Sequence, residues 1–177
     1  NIDLSLIEPV FKQVIGYNTA IAKEGLSNYY GLSIGKLMKE GMEEGVYGND
    51  VRNNMASFAS AGSDARMNGC SLTVMTTSGS GNQGMTCSLP VIKFCEMKNI
   101  PYEQLIRGLF FSHMTTIHIK SNIGRLSAYC GAVCASGGVA GAISFLSGFS
   151  PAQIDSAIET TLATLSGVVC DGAKSSC

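Results

Sequence analysis

Between Arg125 and Asp155 the chain carries no charged side chain, and this run constrains the fold more than any other feature of the 177 residues. Leu126 to Phe149 is long enough to cross a bilayer as one helix. Gly137 and Gly141 form a small-xxx-small pair, and Lys120 and Arg125 flank one end only. Gly, Ala, Ser and Cys nevertheless fill most of the run, so its transfer into lipid is much less favourable than that of a Leu-rich span. A helix buried in a globular core is the better reading, and it would give a site dry walls.

The rest of the composition agrees. Hydrophobic residues make up 45% and charged residues 14% of the chain, so much of it must be interior. A chain of this size buries roughly two-thirds of its unfolded surface and suffices for a single compact domain. Lys and Arg (12) are balanced by Asp and Glu (13), which leaves no excess to neutralise a phosphate backbone and excludes nucleic acid as a partner. Seven Cys without a signal-peptide pattern read as reduced thiols or metal ligands in the cytoplasm. The absence of Trp and the 21 Gly favour close backbone approach. Low charge is compatible with a large apolar interface, and so with a homo-oligomer. The chain starts at Asn1 without Met and stops at Cys177, and we expect it to be a piece of something longer.

Helical spacing dominates. Leu4, Ile7, Phe11, Val14 and Ile21 predict an amphipathic helix of about five turns, interrupted by Asn18, which needs a partner or sets register. Leu32, Met38 and Met42 predict a second helix ending at the Gly45 to Gly48 turn. Asn49 or Asp50 would cap a third, running through Ala65. Leu72 to Thr77 reads as a strand. The segment Met85 to Met97 reads as a helix that kinks or begins at Pro90, and Pro101 opens another that stops near Asn122 and Gly124. Ser150, Pro151 and Gln153 form a capping box ahead of Ile154, Ile158, Leu162 and Leu165. The fold class is mainly α, a single compact helical domain with a buried Gly/Ala-rich helix.

Chemistry gathers in three places. Gly79, Gly81 and Gly84 satisfy the G-x-G-x-x-G spacing, but a dinucleotide fold needs alternating strands and helices, and no second strand is evident. What survives is physical: glycines let backbone N–H groups converge at a helix start, and Thr77, Ser78, Ser80 and Asn82 add donors, an arrangement suited to a carboxylate. A plain tight turn before a helix would look the same. Buried inert thiol is the default for Cys70, Cys87 and Cys95. Cys130 and Cys134, four apart on one helix face, suit a metal or packing. Cys170 and Cys177 bracket DGAKSS; a straight helix would separate them by about 10 Å, and Asp171 and Gly172 offer the turn that brings them together. His113 lies on the stripe of Ile106, Phe110 and Ile117, which favours a hydrogen-bonded core histidine and leaves it a weak candidate base. His118 faces elsewhere, against a paired metal site. Asp64 and Arg66 read as a local ion pair or as substrate contacts.

Taken together, ASAGSDARMNGC, VMTTSGSGNQGMTCSLPVI, IKSNIGRLSAYCGAVCASGGVAGAISFL and GVVCDGAKSSC resemble the α-chain domain of the iron–sulfur-dependent L-serine dehydratase family, nearest its L-cysteine desulfidase branch. The resemblance runs from about Lys39 onward and makes residues 1–177 a partial catalytic domain. It implies a [4Fe-4S] cluster on three cysteines, matched here by Cys130, Cys170 and Cys177, with Cys134 competing for the first position. It also implies that the glycine loop, Thr77, Ser78, Gly79, Ser80, Gly81 and Asn82, receives the carboxylate of an amino-acid substrate. The implied reaction is β-elimination of cysteine or serine to pyruvate and ammonia, with sulfide released from cysteine, and the base is expected outside this chain. The alternative is a non-catalytic helical module that keeps the family fold.

Overall fold

A computed structural model describes residues 2–124, 127–170, 172 and 174. Among the described residues seven helices make up a single compact unit and no strand forms. The first, α1 (Leu4–Ser27), starts where Asp3 Oδ1 accepts from Ser5 N–H at 3.0 Å. At 24 residues it outruns the five turns expected, and in its last turns Gly25 lies directly on the backbone carbonyl of Ala61, where any side chain would collide. Asn18, wholly buried in its apolar stripe, accepts from Met75 N–H at 2.8 Å and donates to Ser88 Oγ at 2.9 Å. It therefore ties α1 to the segment ahead of the glycine loop.

Helix α2 (Ile34–Glu43) is short. Its first turn is capped from a distance: the Asp64 carboxylate accepts from Gly35 N–H at 2.9 Å. Asp64 and Arg66 thus make no ion pair with each other, since α3 (Val51–Met67) sends the buried Asp64 toward α2 and Arg66 toward Asn82. Burial raises the Asp64 carboxyl above its ordinary range, against the backbone N–H groups of Gly35 and Ile34. Asp50 caps α3 through Asn53 N–H at 2.8 Å, as the sequence suggests.

The Leu72 to Thr77 segment is extended but is no strand, because no neighbouring segment supplies a ladder; Asn18 supplies its hydrogen bonds instead. Helix α4 (Gly81–Lys98) begins earlier than expected and runs through Pro90. It is the centre of the molecule: Met85, Leu89 and Val91 are fully buried, and α1, α3, α5 and α6 pack around it. Helix α5 (Tyr102–Ile123) follows Pro101 and stops at Gly124, whose φ of 94° suits glycine alone.

The uncharged run resolves into α6 (Gly131–Leu146) and a turn leading to α7 (Pro151–Thr164), where Gln153 Oε1 accepts from Ser150 N–H at 3.0 Å. At 16 residues α6 is shorter than the run that suggested a membrane span. Among the described residues no helix is long and apolar enough to cross a membrane. Glycines seat α6 among its neighbours: Gly138 lies on Thr116 Oγ1 and the Ser112 carbonyl, and Gly141 faces Phe111 and Ile158.

Candidate functional site

The glycine loop is a tight turn locked at both ends. Thr77 N–H donates to the Ser80 carbonyl and Ser80 N–H to the Thr77 carbonyl, both at 3.1 Å. Ser78 (φ 49°) and Gly79 (φ 82°) occupy its left-handed corners, as in a mirror-image hairpin turn. Ser80 then starts α4, its Oγ accepting from Gln83 N–H at 3.2 Å.

The six loop residues divide by direction. Thr77 faces inward, its hydroxyl 2.9 Å from His113 Nδ1 and 3.5 Å from Cys87 Sγ. Gly81 lies against the Arg66 guanidinium, and Asn82 Oδ1 accepts from Arg66 at 3.0 Å. Ser78 and Gly79 line an open cleft of about 770 Å³ whose far wall is the end of α5, with Ile117, Lys120 and Ser121. Among the described residues no carboxylate pairs with Lys120. Its ammonium makes this cleft a place for an anion.

His113 supports the turn from beneath. It is buried, with its ring edge-on to Phe11 at 5.2 Å between centroids, and Nε2 has no partner. Burial pushes the imidazole down to about 4, so it is neutral at physiological pH. His118 is exposed on the other side of α5.

The cysteines separate as sharply. Burial raises Cys87 to about 12 and Cys95 to about 11, which makes both inert thiols. Cys130 is the N-cap of α6, not a residue of its helical face. Its N–H donates to the Val168 carbonyl at 3.0 Å, and Cys170 N–H donates to the Ala128 carbonyl at 2.6 Å. This antiparallel pairing, centred on Tyr129 and Val169, brings the segments that carry Cys130 and Cys170 side by side. Cys134 sits one turn into α6. Burial pushes its thiol up and the Lys120 ammonium opposes this, while Cys130 adds to the rise.

Gln83 joins the two halves. It is 1% exposed and lies against the first residue of α6: a Cβ on Gly131 would stand 2.7 Å from Gln83 Oε1. A side chain on Gly131 would require the Gln83 carboxamide to shift.

A thiolate-held iron–sulfur group would need several cysteines together, and the structure brings the segments of Cys130 and Cys170 side by side. The third expected ligand, Cys177, lies outside the described residues. Among the described residues no three metal-binding side chains form a group. Sequence reasoning passed over Lys120 and Gln83 as site residues. The recurrence of His113, Ile117, Lys120 and Ser121 at helical spacing carried the signal for the first. Nothing local carried it for the second.

The family model described as the serine dehydratase alpha chain matches residues 1–177. A UPF0597 protein of Fusobacterium nucleatum is 64% identical over 176 residues, covering 99% of this chain and 41% of that protein. One from Lachnoclostridium phytofermentans is 51% identical over the same shares, and one from Finegoldia magna is 40% identical over the whole chain and 41% of its own length. The chain thus spans about two fifths of the length of these relatives. No solved structure matches it.

Proposed function

Because the chain belongs to the serine dehydratase alpha-chain family, we propose that it is the helical part of a cytoplasmic amino-acid lyase that eliminates the β-substituent of L-cysteine or L-serine. The packing of Gln83, at the start of α4, against Gly131, the residue after Cys130, supports this reading.

Lys120 and the turn at Ser78 and Gly79 would hold the substrate carboxylate, fixing the Cα–Cβ bond toward the cysteine face. Cys130, Cys170 and Cys177 would hold a [4Fe-4S] cluster, which supplies a Lewis acid for the departing group. The α-proton leaves Cα as the Cβ–S or Cβ–O bond breaks, and its electron pair becomes the new double bond. The resulting enamine tautomerises and hydrolyses to pyruvate and ammonia. His113 is assigned to holding Thr77, and thereby the turn, because its Nε2 is buried and its imidazole binds a proton only near pH 4. The base belongs to the parts of the longer relatives beyond this chain.

Anaerobic reconstitution with iron and sulfide tests the reading. The wild type is expected to gain the broad visible absorbance of a cluster, and Cys130→Ala, Cys170→Ala and Cys177→Ala each to abolish it. A folded wild type that takes up no cluster would contradict the proposal.

A further inference from the structure

We infer that the anion cleft continues into an apolar groove, and that together they bind a monocarboxylate with an aliphatic chain, which competes with substrate for Lys120; this rests on the carboxylate reading of the cleft and not on the cluster. The cleft and a second cavity of about 310 Å³ share two wall residues, Ser78 of the turn and Ile117 of α5, so the two spaces adjoin at the turn. Along α5, His113, Ile117, Lys120 and Ser121 recur at helical spacing, which puts the groove, the junction and the ammonium on one stripe.

The lining decides what the groove accepts. Leu6 and Val10 of α1 and Met114 and Ile117 of α5 line it as exposed side chains, and Phe11 and His113 line it as buried ones. Four exposed large apolar side chains around one groove mark a binding surface, unlike hydrophobics scattered singly. Burial keeps the His113 imidazole neutral, with Nδ1 2.9 Å from the Thr77 hydroxyl, so no residue lining the groove is charged at physiological pH. An ionic body would lose hydration there without gaining a partner, whereas an aliphatic one gains by leaving water. The cation lining the joined space is Lys120, which no carboxylate pairs among the described residues. A positive charge at one end and an uncharged apolar wall at the other complement a ligand with one carboxylate and an aliphatic body.

The test titrates the chain with acetate, butanoate and hexanoate, and with hexan-1-ol as the uncharged control, following amide shifts by NMR. Wild type is expected to bind about two- to fourfold more tightly for each methylene added, to bind hexan-1-ol more weakly than hexanoate, and to release L-serine as hexanoate is added. Lys120→Met is expected to weaken hexanoate binding roughly tenfold or more. Val10→Asn and Met114→Gln, both at exposed positions, are expected to flatten the series. A series already flat in wild type, while acetate and L-serine still bind through Lys120, overturns the inference and leaves the cleft reading standing; a chain that binds no carboxylate overturns both. Hexanoate affinity unchanged in Lys120→Met, or a chain-length gain that survives in Val10→Asn and Met114→Gln alike, also overturns it. So does self-association in sedimentation that Val10→Asn abolishes and hexanoate does not affect, since the groove is then a contact between copies. Should a variant fail to fold, the wild-type series and the competition with L-serine still decide.

Discussion

His113 shows what a single buried group does to the molecule as pH changes. Its folded pKa, about 4, lies below the ordinary 6.5 of an exposed imidazole because burial disfavours the charged form. Between these values the unfolded chain binds more protons than the folded one, so stability rises with pH across that window and is lost as pH falls from about 6.5 toward 4. The loss is on the order of 3 kcal/mol, and urea denaturation at a series of pH values is expected to show it shrinking in His113→Asn. An equal loss in the variant would remove His113 from the account. Lys120 acts through charge alone: Lys120→Met is expected to weaken binding of a non-reacting amino-acid carboxylate by roughly 10- to 100-fold, read by calorimetric titration. Unchanged affinity would move the anion elsewhere. The helical stripe around His113 made its burial legible in the sequence, whereas its partner Thr77 is 36 positions away and nothing local connects them. Asn18 was legible only as a question, and Met75 and Ser88 answer it.

At the scale of elements, glycine decides which helices touch. Gly138 lies on Thr116 Oγ1 and the Ser112 carbonyl, so Gly138→Ala is expected to push α6 off α5 and to cost about 1–3 kcal/mol, measured as a fall in the urea midpoint. An unshifted midpoint would mean the α5–α6 contact is softer than the geometry requires. Helix boundaries with their own chemistry were readable: Asp50 before α3, Pro101 before α5, Gly124 after it, and Ser150 with Gln153 at α7. Misreadings occurred where tertiary contact overrides the local pattern. Leu72 to Thr77 has strand composition without a strand partner; the early start of α4 at Gly81 has a local cause instead, the Ser80 cap. Pro90 would end an isolated helix, yet α4 continues, packed on nearly every side.

For the molecule as a whole, the mainly α class and the buried character of the uncharged run follow from composition and periodicity. Which helix ends converge does not, because that is set by contacts between distant segments: Gln83 against Gly131, and 128–130 against 168–170. The loop and the cysteines were each legible as motifs, but the contact between Gln83 and Gly131 that links their segments is a property of packing around α4. The chain spans about two fifths of its curated relatives, so turnover is a property to measure on the longer protein.

The central claim is that the carboxylate cleft and the thiol face form one site. It is tested most directly by adding L-serine or L-cysteine to the anaerobically reconstituted chain and recording the EPR spectrum of the reduced cluster, in wild type and in Lys120→Met. The account predicts that substrate changes the wild-type spectrum, and that the variant needs far higher concentrations for the same change. A spectrum indifferent to saturating substrate would contradict it, because the anion and the metal would then occupy separate places.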